Sequence, residues 1–250
     1  MTSDAKIPTP DDRHLFLAFS TFTGDRSTFN RWYDEEHIPQ VIGAPGMVGA
    51  QRFVIADTKP LPGTDPLDFG HAALYELEGS PGPFREEVKR LLISGEMVLP
   101  GFMVQPFTAL ILKPVSDPFY SGQFSRVTDL DDRHLFLVFT RRPADGAAYD
   151  KWYDEMHIPQ IMPVPGMLRV QRFATSEVKP LPGVVTPDLG HLTLCEVTGD
   201  LLPLREEVKR LLISGEMVLP DFIRPPLAAM FLRPVSPYVR ANGSRQENAR

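Results

Sequence analysis

WYDEEHIPQ at residues 32–40 returns as WYDEMHIPQ at residues 152–160, and this recurrence decides the architecture. The spacing of 120 residues holds outward in both directions without a gap. Upstream, DDRHLFL at 11–17 returns at 131–137. Downstream, REEVKRLLISGEMVLP at 85–100 returns unchanged at 205–220. Short periods of 20–50 residues mark solenoids and arrays. A period this long marks duplicated domains, each able to hold a core of its own. The copies span 11–116 and 131–236, joined by a linker over 117–130 and followed by a polar tail over 237–250. The residues before Asp11 and the tail around Asn242, Gly243 and Ser244 read as loose chain. The rare residues obey the same symmetry. The six histidines form three pairs, His14 with His134, His37 with His157 and His71 with His191, and the two tryptophans pair as Trp32 and Trp152.

One copy reads as βαββαβ. HLFLAFS (14–20) is a compact apolar strand bounded by charges. Ser27 or Thr28 can cap a helix running to about Ile38, where Pro39 lacks the N–H needed to continue. Its Phe29, Tyr33 and His37 follow an i, i+4 stripe. MVGAQRFVIA (47–56) is a second strand, KPLPGTDPLDFG (59–70) a proline-rich loop, and HAALYELE (71–78) a third strand. Pro83 opens a second helix that Gly95 stops, and PFTALILKPV (106–115) is the fourth strand. This order is the split βαβ unit, whose antiparallel sheet runs 4-1-3-2 with both helices on one face. The bare face needs a cover, and the second copy supplies one. The predicted class is α+β: two ferredoxin-like repeats forming an intramolecular pseudo-dimeric α+β barrel.

The totals exclude several functions. A net charge of −6 leaves no basic footprint for nucleic acid. No apolar run approaches the ~18 residues of a membrane span, and the N-terminal stretch lacks the apolar core of a signal peptide. The single cysteine, Cys195, rules out an intrachain disulfide. A cytoplasmic protein is the expectation, either a monomer with internal pseudo-twofold symmetry or a homo-oligomer. No glycine-rich phosphate loop, nucleotide fingerprint, serine nucleophile motif or metal-ligand spacing is present, so no cofactor and no metal are expected. The expected partner is a small apolar metabolite.

A helix carrying WYDEEHIP followed by APGMVGAQRF resembles the EthD-like branch of the dimeric α+β barrel superfamily, and the likeness covers both copies. That family usually builds the barrel from two chains, so this chain resembles a fused dimer. Relatives by fold include cofactor-free monooxygenases, muconolactone isomerases and polyketide cyclases, together with haem-binding chlorite dismutases and dye-decolourising peroxidases. The resemblance implies a ligand between the helices and the sheet of each copy, hence two pockets.

His37 and His157 are the first candidates for acid–base chemistry, because imidazole titrates near neutrality. A place in a final helical turn would favour their protonated form through the helix dipole. Tyr33 and Tyr153, one turn earlier, are placed to donate a hydrogen bond to a ligand oxygen. Asp34 and Asp154 orient the imidazole or face water. His14 and His134 begin a strand, and His71 and His191 follow the long loop. These four histidines are further candidate ligand contacts, with Trp32 and Trp152. Topology places His14 and His37 at one end of a copy and His71 at the other. The expected activity is cofactor-independent lyase, isomerase or cyclase chemistry on a carbonyl or phenolic molecule. The alternatives are an accessory metabolite-binding protein, a cofactor-free monooxygenase and a haem protein. The copies differ at Glu36/Met156 and Tyr75/Cys195, so their pockets need not be equivalent. The identical 85–100 and 205–220 segments suggest a pseudo-twofold interface, a shared pocket wall or recent duplication, with the interface preferred.

Overall fold

The computed structural model describes residues 13–58, 61–65, 69–122, 130–141, 143–181, 183–187, 190–223 and 227–241. The first copy contains β1 (His14–Ser20), α1 (Arg26–Trp32), a π-helical turn (Tyr33–His37), α2 (Ile38–Ile42), β2 (Met47–Ile55), β3 (His71–Leu77), α3 (Pro81–Ser94) and β4 (Thr108–Pro114). A short β5 (Phe119–Tyr120) follows. The second copy repeats the pattern as β6 (His134–Thr140), α4 (Gly146–Trp152), a π-helical turn (Tyr153–His157), α5 (Ile158–Ile161), β7 (Met167–Thr175), β8 (His191–Val197), α6 (Leu201–Ser214) and β9 (Ala228–Pro234). β10 (Val239–Arg240) comes last.

Within each copy the strands lie β2-β3-β1-β4 and β7-β8-β6-β9, the antiparallel 4-1-3-2 order expected of the split βαβ unit. The two sheets join through hydrogen bonds at both edges. β4 pairs β7 from Leu112↔Thr175 to Pro114↔Phe173, and β2 pairs β9 from Phe53↔Pro234 to Ile55↔Leu232. Eight strands therefore close into one barrel, and closure removes the exposed edges that invite aggregation. The fold is a fused pseudo-dimeric α+β barrel.

Alternation along each strand divides the apolar residues among three cores. Leu15, Leu17 and Phe19 point into the barrel, where they meet Leu135, Leu137 and Phe139 of the other copy. Phe16 and Ala18 face outward to helices carrying Phe29, Trp32, Tyr33, Ile38 and Val88. The second copy builds the same outer layer from Phe136, Tyr149, Trp152, Tyr153, Ile158 and Val208. Strands buried on both faces explain why HLFLAFS reads as a nearly continuous apolar run.

Several local expectations are corrected. Asp25, not Ser27 or Thr28, caps α1, its carboxylate accepting from the Thr28 N–H at 2.8 Å. The helix does not stop at Pro39. The turn widens to i→i+5 bonding, with the Ile38 N–H donating to the Tyr33 carbonyl, and α2 then carries the chain to Ile42. Such a wide turn lets the chain pass a residue that has no N–H to give. α3 starts at Pro81 behind a Ser80 cap, two residues before Pro83, and ends as expected at Gly95. The linker and tail are not wholly outside the fold, because β5 adds to β7 and β10 adds to β2. Residues 1–12, 123–129 and 242–250 lie outside the described residues.

The proline-glycine turn before β7 depends on Gly166. Its φ is +88°, and a Cβ there would lie 2.5 Å from the Thr198 carbonyl oxygen. The Thr198 N–H donates back to the Gly166 carbonyl at 2.8 Å, so neither strand can yield without breaking the turn. Gly166→Ala should destabilise the protein by about 2 kcal/mol or more. Gly46→Ala should cost less, since its Cβ would stand 2.9 Å from Glu78 O. Urea midpoints of the two variants check the ranking, and an unchanged midpoint for Gly166→Ala contradicts it.

One end of the barrel interior is polar. Glu76 accepts from Arg13 at 2.6 Å, from Arg133 at 3.1 Å and from the Tyr238 hydroxyl at 2.6 Å. Glu196 lies 3.4–3.6 Å from Arg133, Arg13 and Arg169. Gln51 accepts from Arg133 at 2.9 Å, and Gln171 accepts from Arg13 at 3.2 Å. Arg13/Arg133, Glu76/Glu196 and Gln51/Gln171 are equivalent pairs, so the network sits on the pseudo-twofold axis and ties the copies together. Burial alone would raise the Glu76 pKa, but the Arg133 and Arg13 charges outweigh it and hold the carboxyl down to about 2. Two members break the symmetry: Arg169, whose counterpart is Gly49, and Tyr238, whose counterpart is Pro118. The Tyr238 ring fills the space a side chain at Gly49 would need.

Candidate functional site

The outer layer of each copy encloses a cavity between sheet and helices. In the first copy it measures about 230 Å³ and is lined by Phe16, Ala18, Trp32, Tyr33, His37 and Val88 among others, with Ser20, Gln105 and Thr108 as further polar groups. In the second copy it measures about 60 Å³ and is lined by Phe136, Val138, Trp152, Tyr153, His157 and Val208 among others.

The wide helical turn places both polar groups on one wall. His37 stacks on Trp32 with ring centres 4.9 Å apart and meets the Tyr33 ring edge-on at 4.9 Å. His157 repeats this with Trp152 at 4.5 Å and Tyr153 at 5.2 Å. The Nδ1 atoms of both imidazoles are buried and have no hydrogen-bond partner. Burial, reinforced by the Arg52 charge, lowers the His37 pKa to about 4, and burial alone lowers His157 to about 4. Both rings are therefore neutral at pH 7. The expectation that the helix dipole protonates them is corrected: they sit inside a helix, not at its end. Burial raises the Tyr33 and Tyr153 pKa values, so both phenols stay protonated and can donate.

Asp34 and Asp154 do not orient the imidazoles. Asp34 accepts from Arg52 at 2.7 Å, and Asp154 accepts from Arg172 through both oxygens at 3.0 Å. The two arginines were not apparent as site-supporting residues in the sequence. Arg52 lies 4.6 Å from the Tyr33 ring centre, pinned also by Asn30, and Arg172 lies 5.3 Å from that of Tyr153. Their signal was the QRF string common to both copies, with arginine on the helix-facing side of a strand.

The other four histidines lie outside both cavity linings. His14 pairs across to Leu77, whereas His71 pairs across to Ser20, so they stand at opposite ends of β1 as topology demanded. His134 lies at the strand start, with its Nδ1 3.1 Å from the Asp132 carbonyl. His71 packs against Phe22 and Phe29, and His191 against Tyr149. Trp32 and Trp152 do line the cavities. Glu36 is an exposed helix residue.

The duplicated 85–100 and 205–220 segments form the same wall of each cavity, through Val88, Leu92, Met97 and Leu99 and their equivalents. The lining supports the pocket-wall reading, and Arg85 of the same segment also reaches the other copy, its Nε donating to Lys179 O at 3.0 Å. The copies differ in the hydroxyls around the tyrosine. Tyr153 is hydrogen-bonded by Thr193, Thr140 and Tyr149, and Thr140 and Tyr149 are themselves 2.6 Å apart. Around Tyr33 the matching positions are Ala73, Ser20 and Phe29, and the neighbouring hydroxyl is that of Tyr75.

The buried neutral histidines predict a pH response. An unfolded chain binds protons at these residues near pH 6.5, while the folded chain resists until about pH 4. Stability should be intact above pH 6.5 and fall as pH drops through that window, by up to about 3 kcal/mol per histidine. Urea unfolding at pH 7 and pH 4.5 should show the loss, and His37→Gln/His157→Gln should reduce it, His71 (also held down to about 4 by burial and the Arg52 charge) keeping the remainder. An unchanged slope in the double variant would contradict the assignment.

Haem demands an axial nitrogen with room for a macrocycle beside it. Each imidazole is covered by an indole, and the cavities fall below the ~300 Å³ at which drug-sized ligand sites begin. The residues do not fit haem. Among the described residues no group of three or more His, Cys, Asp or Glu side chains is arranged to hold a metal ion.

Together the closed eight-stranded barrel and its paired helix-sheet cavities define a member of the dimeric α+β barrel fold. The chain matches no family model, and no curated protein matches it by sequence. Solved structures share the fold. An anthrone oxidase-like protein is 13% identical, with a TM-score of 0.52 over 96% of this chain and 98% of its own. A provisionally assigned monooxygenase from Fusobacterium nucleatum is 10% identical, with a TM-score of 0.53 over 92% and 94%. A chlorite dismutase variant from Candidatus Nitrospira defluvii is 8% identical, with a TM-score of 0.50 over 89% and 91%.

Proposed function

We propose that the first-copy cavity binds a small, largely aromatic carbonyl compound or phenol and moves a proton on it without a cofactor. The observation that carries this reading is the pairing of a neutral imidazole, His37, with a protonated phenol, Tyr33, on one wall of a mostly apolar cavity. The apolar walls take the ring system, and Tyr33 donates to the ligand oxygen. His37 accepts the proton from carbon or from a hydroxyl, and the electron pair of the broken bond delocalises onto the oxygen that Tyr33 holds. Returning the proton to another atom of the ligand completes an isomerisation. A base with a pKa near 4 is weak, so the reading calls for an acidified C–H or O–H, next to both a carbonyl and an aromatic ring.

The Trp-Tyr-Asp-x-x-His-Ile-Pro string supports an EthD-like affiliation, because the structure gives three of its residues (tryptophan, tyrosine and histidine) a shared cavity wall. The deprotonated ligand would also be the electron-rich species that cofactor-free oxygenation requires, with dioxygen as oxidant.

The test is deuterium exchange into the benzylic position of 2-tetralone in D2O, followed by mass spectrometry. Exchange above the buffer rate supports proton transfer. Binding without exchange removes the catalytic reading and leaves an accessory metabolite-binding protein.

A further inference from the structure

The two cavities share one wall residue for residue yet differ in volume, about 230 against 60 Å³, so the difference comes from the other walls. On the sheet, Ala18 of the first copy is Val138 in the second, and Ala73 is Thr193. On the helix, Val41 is Ile161. These three changes add side-chain volume in the second copy and outweigh Tyr75/Cys195 and Phe107/Leu227, which remove it, since the second cavity is the smaller. Thr193, Thr140 and Tyr149 also engage the Tyr153 hydroxyl, whereas the positions matching them around Tyr33 are Ala73, Ser20 and Phe29.

The remaining wall of each cavity comes from the opposite copy. Leu181, Gly183 and Val184, from the proline-rich loop of the second copy, line the first-copy cavity. Leu61, Pro62 and Thr64 of the first copy line the second. The crossing is fixed by backbone bonds. The Val185 N–H donates to Phe107 O at 2.7 Å, the Ala109 N–H donates to Val185 O at 3.0 Å, and Arg85 Nε donates to Lys179 O at 3.0 Å. On the other side the Asp65 N–H donates to Leu227 O at 2.8 Å.

We infer that the chain holds one ligand, in the first-copy cavity, and that the second copy serves that site as its lid, with Leu181 setting the size of ligand admitted. The inference rests on the first-copy cavity being the ligand site, as proposed above, but not on the proton chemistry.

Calorimetric titration of the full chain with 1-naphthol tests it. The expected stoichiometry is one per chain. Leu181→Trp should weaken binding about tenfold or more, while Leu61→Trp, at the equivalent lid of the small cavity, should leave it unchanged. Leu181→Ala should improve binding of the larger 9-phenanthrol relative to 1-naphthol by about tenfold, which keeps the lid role testable if the tryptophan variant does not fold. Two naphthols per chain, or equal weakening by Leu61→Trp, overturns the single-site inference and leaves the ligand-site reading standing. Unchanged selectivity in Leu181→Ala overturns the lid role. No binding of either hydroxyarene to the wild-type chain overturns both this inference and the ligand-site reading beneath it.

Discussion

Glu76→Gln should cost about 3–5 kcal/mol of folding free energy, the range found when one partner of a buried ion pair is removed. The carboxylate stands between Arg13 and Arg133 and accepts from Tyr238, and all of these charges are out of contact with water. The amide leaves three arginines facing Glu196 alone as counter-charge, and it puts an NH2 where the second carboxylate oxygen accepted from the Tyr238 hydroxyl. For a protein of this length each 1 kcal/mol moves Tm by roughly 2–4 °C, so the loss should be plain in a thermal scan as well as in urea. Glu196→Gln should cost less, because its contacts are longer, 3.4–3.6 Å, and its Oε2 has no partner. A Glu76→Gln variant within about 1 kcal/mol of wild type would mean that the network contributes little and that barrel closure rests on the apolar interior.

His37→Gln should reduce enzyme-catalysed exchange of 2-tetralone by about 10²–10⁴-fold, the usual contribution of a positioned general base. Glutamine keeps a side chain of similar reach but has no basic nitrogen. Binding of 1-naphthol should fall far less than exchange, which separates a proton acceptor from a wall residue. Tyr33→Phe should lower exchange while leaving the fold intact, since it removes one hydroxyl and no ring contact. His157→Gln should leave exchange near wild type if the small cavity takes no ligand. Equal loss in His37→Gln and His157→Gln would instead place catalysis in both copies. Exchange untouched by either substitution would remove histidine from the mechanism.

Most of the fold was legible because duplication doubles the signal. HLFLAFS and HLFLVFT name the same strand twice, and the βαββαβ order leaves little choice of sheet once both helices lie on one face. Pro39 misled, since the rule that proline ends a helix takes no account of a wide turn that needs no N–H from it. The cavity tyrosine and histidine were visible as an i, i+4 stripe. The states of those side chains were not, because burial is a property of what packs around them. Arg52, Arg13 and Leu181 were illegible as functional positions for a common reason. Each acts on residues far off in the chain, and in the cases of Arg13 and Leu181 in the other copy. The inequality of the cavities was visible only as scattered changes such as Ala18/Val138, whose meaning depends on their sharing one space.

The crossed proline-rich loops bear on how such a molecule can change over time. In a barrel made of two identical chains, every substitution falls twice, so a methyl group that closes one pocket closes both. Joining the halves end to end lifts that constraint. Val138 and Thr193 can narrow one chamber while Ala18 and Ala73 keep the other open, and the narrowed half keeps its value as the cover of its sister. The fused chain thus permits a division of labour that its symmetric form forbids.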